Sequence, residues 1–259
     1  MDFSVCVLAS GSTGNAVLVS SRSTRLLVDV GLSGKKTFAL LEKLNVKPEE
    51  ISGIVVTHEH HDHIQGVGVL ARKLDIPVLA TRETFRAARD KLKKLPKRQD
   101  IYAGRPVRFG DLTLVPFPTF HDAAGAIALV CKSGAKSLGI VTDIGHFSRL
   151  AFHRLRECST IVLEANYCPV MLRDGPYPWR LKQRIKGRRG HLSNQDACKV
   201  ITELARCGLK KVVLSHLSET NNHPDVVMRT LVECLPPDVM ERTEFFLTHP
   251  DKPSTMVHV

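Results

Sequence analysis

No apolar run in this chain of 259 residues approaches the roughly 20 residues that a bilayer-spanning helix needs, which excludes a helical membrane protein. The amino terminus, Met1-Asp2-Phe3-Ser4, has neither the basic region nor the apolar core of a secretory signal, so a soluble, cytoplasmic protein is expected. The seven cysteines are odd in number, scattered, and contain no Cys-x-x-Cys pair. That excludes a disulfide framework and a thiolate zinc site, and leaves them as small buried hydrophobes. Repeats, low-complexity linkers and a convincing domain boundary are also missing, so a single domain over 1–259 is expected. A hydrophobic content of 43% suffices for one large core.

What is present centres on Thr57-His58-Glu59-His60-His61-Asp62-His63. Four metal-ligand candidates (His58, His60, Asp62, His63) fall within six residues, directly after the apolar run Ile54-Val55-Val56. An imidazole-rich cluster with an oxygen ligand suits Zn, Mn or Fe, and no single helix or strand turns all four side chains inward. The geometry predicted is a loop leaving a buried strand and turning into a helix, with a spacing that suits two adjacent metals better than one. Two partial matches are set aside. His58-Glu59 is similar to the start of His-Glu-x-x-His, but that pattern needs His where Asp62 stands; Ser33-Gly34-Lys35-Lys36-Thr37 is similar to a phosphate loop, but Asp29 replaces its first Gly.

The formal charge of +11 is uneven. Arg82 to Arg108 holds ten basic and three acidic residues, and Trp179 to Arg189 holds six basic and none acidic, leaving the remainder slightly acidic. Both segments suit a polyanionic partner, although either also suits a solvated helix face. The second carries Trp179 among its cations, which fits either stacking on a base or packing in a core.

Hydrophobic periodicity predicts short strands over Phe3–Leu8, Ala16–Ser20 and Arg25–Val30, with a Gly/Ser turn from Ser10 to Asn15 between the first two. That turn suits either phosphate binding or an ordinary tight turn. Helices are predicted over Phe38–Leu44, about Gly66 to Asp75, and a basic one over Arg82–Leu95. A β-rich middle (Val107–Phe109, Leu112–Phe117, Ala126–Cys131, Ser137–Val141) precedes a helix near Phe147–Glu157. Cys168–Gly190 reads as irregular with one basic helix, and Ser193 as the N-cap of a helix that Gly208 stops. Four apolar strands end in a residue suited to metal or proton chemistry: His58, Asp143, Glu164 and His216 follow Ile54–Val56, Leu138–Val141, Ile161–Leu163 and Val212–Leu214. In layered α/β proteins such strand ends converge on a crevice. His146, His153, His223, His249 and His258 read as solvated or locally satisfied.

Taken in order, Thr57-His58-x-His60-x-Asp62-His63, His121, Asp143 and His216 resemble the ligand set of the metallo-β-lactamase family over essentially the whole chain. The resemblance implies an α/β protein, a four-layer αββα sandwich of the metallo-β-lactamase type. It implies two divalent metal ions, one held by His58, His60 and His121 and the other by Asp62, His63 and His216, with Asp143 bridging. An acidic residue at 143 is similar to the phosphodiesterase and nuclease members. Ala9-Ser10-Gly11-Ser12-x-Gly14-Asn15, Tyr177-Pro178-Trp179 and Gly190-His191-Leu192-Ser193-Asn194 more closely resemble the bacterial WalJ/YycJ-type family. That implies an exonuclease acting on duplex DNA from a 5′ end, with a role in mismatch repair. Catalysis is then expected from a metal-bridging hydroxide, with His191, Glu164 and Asp62 as catalytic residues and His191 protonating the leaving oxygen. His191 also suits a capping role beside Ser193. Trp179, Arg180, Lys182, Arg184, Lys186, Arg188 and Arg189 are the expected nucleic-acid contacts. A hydrolase of a small phosphodiester, thioester or lactam is the alternative; a non-catalytic protein is disfavoured because all seven ligand positions are filled.

Overall fold

Along Ser4–Ala9 (β1), side chains go alternately to opposite faces: Val5 and Val7 enter one buried cluster, Cys6 and Leu8 another. A strand apolar on both faces must be covered on both. The computed structural model, which describes residues 3–259, shows how. Ala16–Ser20 (β2) and Arg25–Val28 (β3) follow antiparallel. Helix Gly34–Lys43 (α1), strand Gly53–Val55 (β4), the single turn His61–Ile64 (α2) and helix Val67–Leu74 (α3) come next. Pro77–Ala80 (β5), helices Arg82–Ala87 (α4) and Arg89–Leu92 (α5), and edge strand Lys97–Asp100 (β6) complete the first half, with β3 to β6 parallel.

Val107–Phe109 (β7), Leu112–Pro118 (β8), Ile127–Ser133 (β9) and Lys136–Val141 (β10) then form an antiparallel meander. Arg149–Leu155 (α6), Thr160–Glu164 (β11), Pro169–Asp174 (α7), Trp179–Lys186 (α8), Asn194–Ala205 (α9) and Lys211–Ser215 (β12) follow. Pro224–Cys234 (α10), Pro237–Arg242 (α11) and Glu244–Leu247 (β13) lead to Val257–His258 (β14), which pairs with β1. One sheet has the order β14-β1-β2-β3-β4-β5-β6 and the other β13-β12-β11-β10-β9-β8-β7.

Three apolar clusters define four layers. Val5, Val17, Leu129, Ile140, Val162 and Val213 fill the space between the sheets. Leu40, Leu41, Leu70 and Phe85 cover the first sheet from α1, α3 and α4. Leu155, Ile201, Leu204 and Leu231 cover the second from α6, α9 and α10. This is the αββα sandwich that the resemblance implies.

The basic stretch 82–95 is not one helix. Its first turn is capped by Thr81, but Ala88 leaves the helical region, Lys93 has φ +57°, and beyond Pro96 the chain becomes the edge strand β6. Lysine and arginine on an edge strand deter pairing with other chains, a use of charge that helical periodicity does not reveal. Cys168–Gly190 contains two helices: α7 starts on Pro169, since proline suits a first helical turn, and α8 starts after its N-cap Pro178. Ser193 caps α9 by accepting from the Asp196 N–H, and Gly208 takes φ +103° two residues past the C-cap Arg206.

Candidate active site

Parallel register aligns the strand ends. Val141 lies opposite Leu163, and Leu163 opposite Leu214, so Asp143, Glu164 and His216 leave three adjacent strands side by side. Asp143 and His216 then take left-handed backbone (φ +54° and +56°), as does Asp29 after β3 (φ +60°). Such conformations cost an L-residue about 1–2 kcal/mol, least for Asp, and are tolerated where function needs the side chain aimed.

The loop after β4 brings His58 and His60 to His121 of the β8–β9 connection. His58 Nε2 lies 3.1 Å from His60 Nδ1, which lies 3.2 Å from His121 Nε2. The remaining nitrogens of the two buried rings are occupied: His58 Nδ1 is 3.0 Å from the Thr57 hydroxyl, and His121 Nδ1 is 3.2 Å from the Gly190 carbonyl. Burial pushes His58 well below its ordinary pKa, with neighbouring His63 adding to the effect; burial also lowers His121, although Asp143 opposes it. Three ring nitrogens thus face one point, two of them on buried rings, His58 and His121, that resist protonation.

A second set adjoins it. His63 Nδ1 meets Asp29 Oδ2 at 2.8 Å, turning Nε2 toward Asp143 Oδ2 (3.2 Å) and Asp62 Oδ2 (3.5 Å). His216 Nδ1 lies 3.2 Å from Asp143 Oδ1, and its Nε2 lies 4.0 Å from Asp62 Oδ2. Burial disfavours charge on Asp62, His63, Asp143 and His216. The Asp143 and Asp29 carboxylates nevertheless hold His63 well above its ordinary value, Asp143 and Glu164 raise His216 to about 10, and His216 and His63 hold Asp143 well below the usual carboxylate range. Asp143 Oδ2 is buried without an aligned hydrogen-bond donor despite its ion-pair distance to His63. Ligand atoms of His58, His60 and His121, of His58, His63 and Asp143, and of Asp62, His63 and His216 lie within 4.8 Å of one another in each group. Imidazole nitrogens and carboxylate oxygens converging around an orphaned carboxylate oxygen form a donor set that fits divalent metal ions. None of His146, His153, His223, His249 or His258 joins such a cluster among the described residues.

Glu164 is fully buried and serves both histidines beside Asp143. Its Oε2 accepts from the Ile144 and Leu192 N–H groups (2.9 and 3.2 Å), while Oε1 faces Nδ1 of His191 at 2.7 Å and of His216 at 3.0 Å. Burial favours the neutral acid, yet the two histidines bring Glu164 down to about 2. It therefore stays ionised and fixes both rings. With Nδ1 committed, His191 leaves Nε2 for the cleft that it lines.

Sequence reasoning missed two supports. Asp29 binds the Thr57 N–H (2.8 Å) and hydroxyl (2.7 Å) besides His63. Asn15 places Nδ2 3.2 Å from Asp62 Oδ2 and 3.1 Å from His63 Nε2, and its N–H donates to the Asp62 carbonyl. The Ser10–Asn15 turn is thus a brace under the ligand loop, with Ser10 also accepting from the His216 N–H. Its neighbour Gly31 is required by contact: a Cβ there would stand 1.6 Å from the Asp62 carbonyl oxygen. The only sequence signal for Asp29 was an acidic residue at a strand end. The Ser33–Thr37 match is simply the start of α1, with Ser33 as N-cap.

A cleft of about 480 Å³ opens over the clusters, lined by Asp62, His121, Asp143, His191 and His216 and walled by Leu181, Arg184 and Ile185 of α8. A larger apolar groove, about 880 Å³ between α1 and α3, lies apart from this chemistry. Trp179 is 72% exposed, which rules out the core-packing reading. Of the six cations in its segment, three have internal partners: Arg184 pairs with Asp122, Arg189 Nε donates to the His121 carbonyl (3.1 Å), and Lys182 Nζ to the Arg173 carbonyl (2.6 Å). Arg188 lies over Phe120, and Arg180 and Lys186 are exposed. No helix of the described residues is long and apolar enough to cross a membrane.

The family model of the β-lactamase superfamily domain matches residues 24–217. The chain is 37% identical over 258 residues to the exodeoxyribonuclease YycJ of Bacillus anthracis, covering 98% of both chains. It is 38% identical over 237 residues to the exodeoxyribonuclease WalJ of Streptococcus pneumoniae, covering 90% of this chain and 88% of the relative. Among solved structures, the metallo-β-lactamase fold protein YhfI from Bacillus subtilis superposes with a TM-score of 0.72 at 17% identity, covering 98% of this chain and 99% of the other; at that identity the likeness is one of fold.

Proposed function

Since this chain belongs to the β-lactamase superfamily and is a metal-dependent hydrolase of that family, we propose that it is a DNA exonuclease, the activity named in its exodeoxyribonuclease relatives, and that it removes nucleotides from the 5′ end of duplex DNA. Strand removal in mismatch repair is the use this reading assigns. One observation carries it: a single cleft combines the Glu164–His191 pair, the carboxylate-imidazole clusters and the cationic helix α8.

In this reading His58, His60 and His121 hold one cation, Asp62, His63 and His216 the other, and Asp143 lies between both sets. The imidazole/carboxylate donors accept Zn, Mn and Fe alike. When bound, the two ions supply an acidified water and neutralise charge at a phosphoryl group. The protein's own residues do the rest. Glu164 keeps His191 oriented, and His191 Nε2 carries the proton for the leaving oxygen. Asp62, partly exposed at the cleft and steadied by Asn15, presents its carboxylate to the reacting side. Arg180, Lys186 and Arg188 contact backbone phosphates, together with Lys182, Arg184 and Arg189 where their internal partners release them, and exposed Trp179 stacks on a terminal base.

The decisive experiment is a panel of end-labelled single- and double-stranded DNA and RNA, run with Zn and with Mn. Release of nucleotides from the 5′ end of duplex DNA is expected; digestion confined to RNA, or to small esters, sinks the reading. His191→Ala should retain its metal by elemental analysis and lose about 10²–10⁴ in kcat, the usual contribution of a positioned proton donor. Unchanged cleavage removes His191 from the mechanism.

A further inference from the structure

The basic stretch 82–108 has no place in the mechanism above. Much of it is committed to the fold: Arg82 and Arg98 both pair with Asp100, and Lys97 pairs with Asp75. Arg86, Arg89 and Lys91 are exposed and have no ion-pair partner among the described residues. They sit on the elbow where α4 passes into α5. Two elbow residues, Ala87 and Lys91, line the same cleft as Leu181, Arg184 and Ile185 of α8. Ala87 offers only a methyl group at the surface, so a polymer backbone can come close to the helix there.

The elbow is anchored from beneath. Ala88 and Leu92 are buried, the Arg72 guanidinium donates to the Leu92 and Lys94 carbonyls (2.9 and 3.1 Å), and a Cβ on Gly68 would stand 2.5 Å from the Leu92 carbonyl oxygen. The backbone that carries these cations is thus held in place, so binding need order only their side chains. The acidic residues of these helices are Glu83 and Asp90, which leave the local balance positive; Glu83 packs toward Gly125, where an added Cβ would stand 2.8 Å from its own.

Resting on the nuclease reading, we propose that the α4–α5 elbow, through Lys91 and Arg86, is a second phosphate-backbone contact facing α8, so that a nucleic acid is held from both walls of the cleft. A short ester at the floor of the cleft reaches one wall at most. A polynucleotide reaches both, which makes the elbow a determinant of polymer over small substrate.

The test compares wild type, Lys91→Gln and the double variant Arg86→Gln/Lys91→Gln on duplex DNA and on bis(p-nitrophenyl) phosphate over a range of salt. Removing one cation that neutralises a phosphate should make the slope of log kcat/KM against log salt shallower by about 0.9. The fall in kcat/KM on DNA should exceed that on the small ester. Lys36→Gln, on the distant helix α1, is the control for general charge. A slope equal to wild type, or equal falls on the two substrates, overturns the second wall while leaving the nuclease reading intact. A wild-type protein that hydrolyses the ester but neither binds nor cuts DNA overturns the nuclease reading itself, and the second wall with it.

Discussion

Asp29 touches no substrate in the proposed mechanism, yet two of the proposed ligand residues depend on it. Its carboxylate fixes the His63 ring through Nδ1 and holds Thr57, whose hydroxyl in turn meets His58 Nδ1. Glu164 stands behind His216 in the same way. Carboxylates that orient metal-bound imidazoles are commonly worth 10–100-fold in metal affinity. Asp29→Ala is therefore expected to weaken metal binding by about that factor in titration calorimetry, while far-UV circular dichroism stays that of wild type. Affinity equal to wild type would show that the contact is incidental. Asn15 acts on the same loop from the opposite side, through Asp62 and His63.

At the scale of elements, α8 and the segment after it both face the cleft and grip the loop that carries His121. Arg184 pairs with Asp122, Arg189 donates to the His121 carbonyl, and the Gly190 carbonyl meets His121 Nδ1. A phosphate that recruits Arg184 must compete with Asp122. The ion pair is partly exposed, so its worth lies in the range of about 0.2–1 kcal/mol. Asp122→Asn should then tighten duplex binding by up to a few-fold, read by fluorescence anisotropy at constant salt. Weaker binding would mean that Asp122 positions Arg184 for the substrate rather than restraining it.

For the whole molecule, we propose that residues 1–259 form a single domain, because the central apolar layer draws equally on both sheets. Leu129 is fully buried in that layer with Val5, Val17, Ile140 and Val213. Leu129→Ala should cost about 2–5 kcal/mol in denaturant unfolding, the range for a large-to-small core change, and the transition should remain single. Two separated transitions would show that the sheets fold as independent units. The proposed active site spans both: His58, His60 and Asp62 leave the first sheet, Asp143, Glu164 and His216 the second.

Local patterns were enough to locate most of the strands, though not the edge strands β6 and β14, and to locate the His-rich loop and the strand-end residues, because a period of two and a cluster of imidazoles within seven positions are properties of adjacent residues. Ser193, Gly208 and the solitary character of the remaining histidines were legible for the same reason. The division of 82–100 into two short helices and an edge strand was not, since basic side chains suit a helix face and a sheet edge alike. Long-range placement decided the remainder. Asp29 and Asn15 lie 34 and 48 residues from His63, and Lys91 reaches the cleft only because α3 holds its helix against the first sheet. The candidate ligands follow from side-chain chemistry written in the chain; which groups orient them, and which cations line the cleft, depend on contacts that exist only after the two sheets pack.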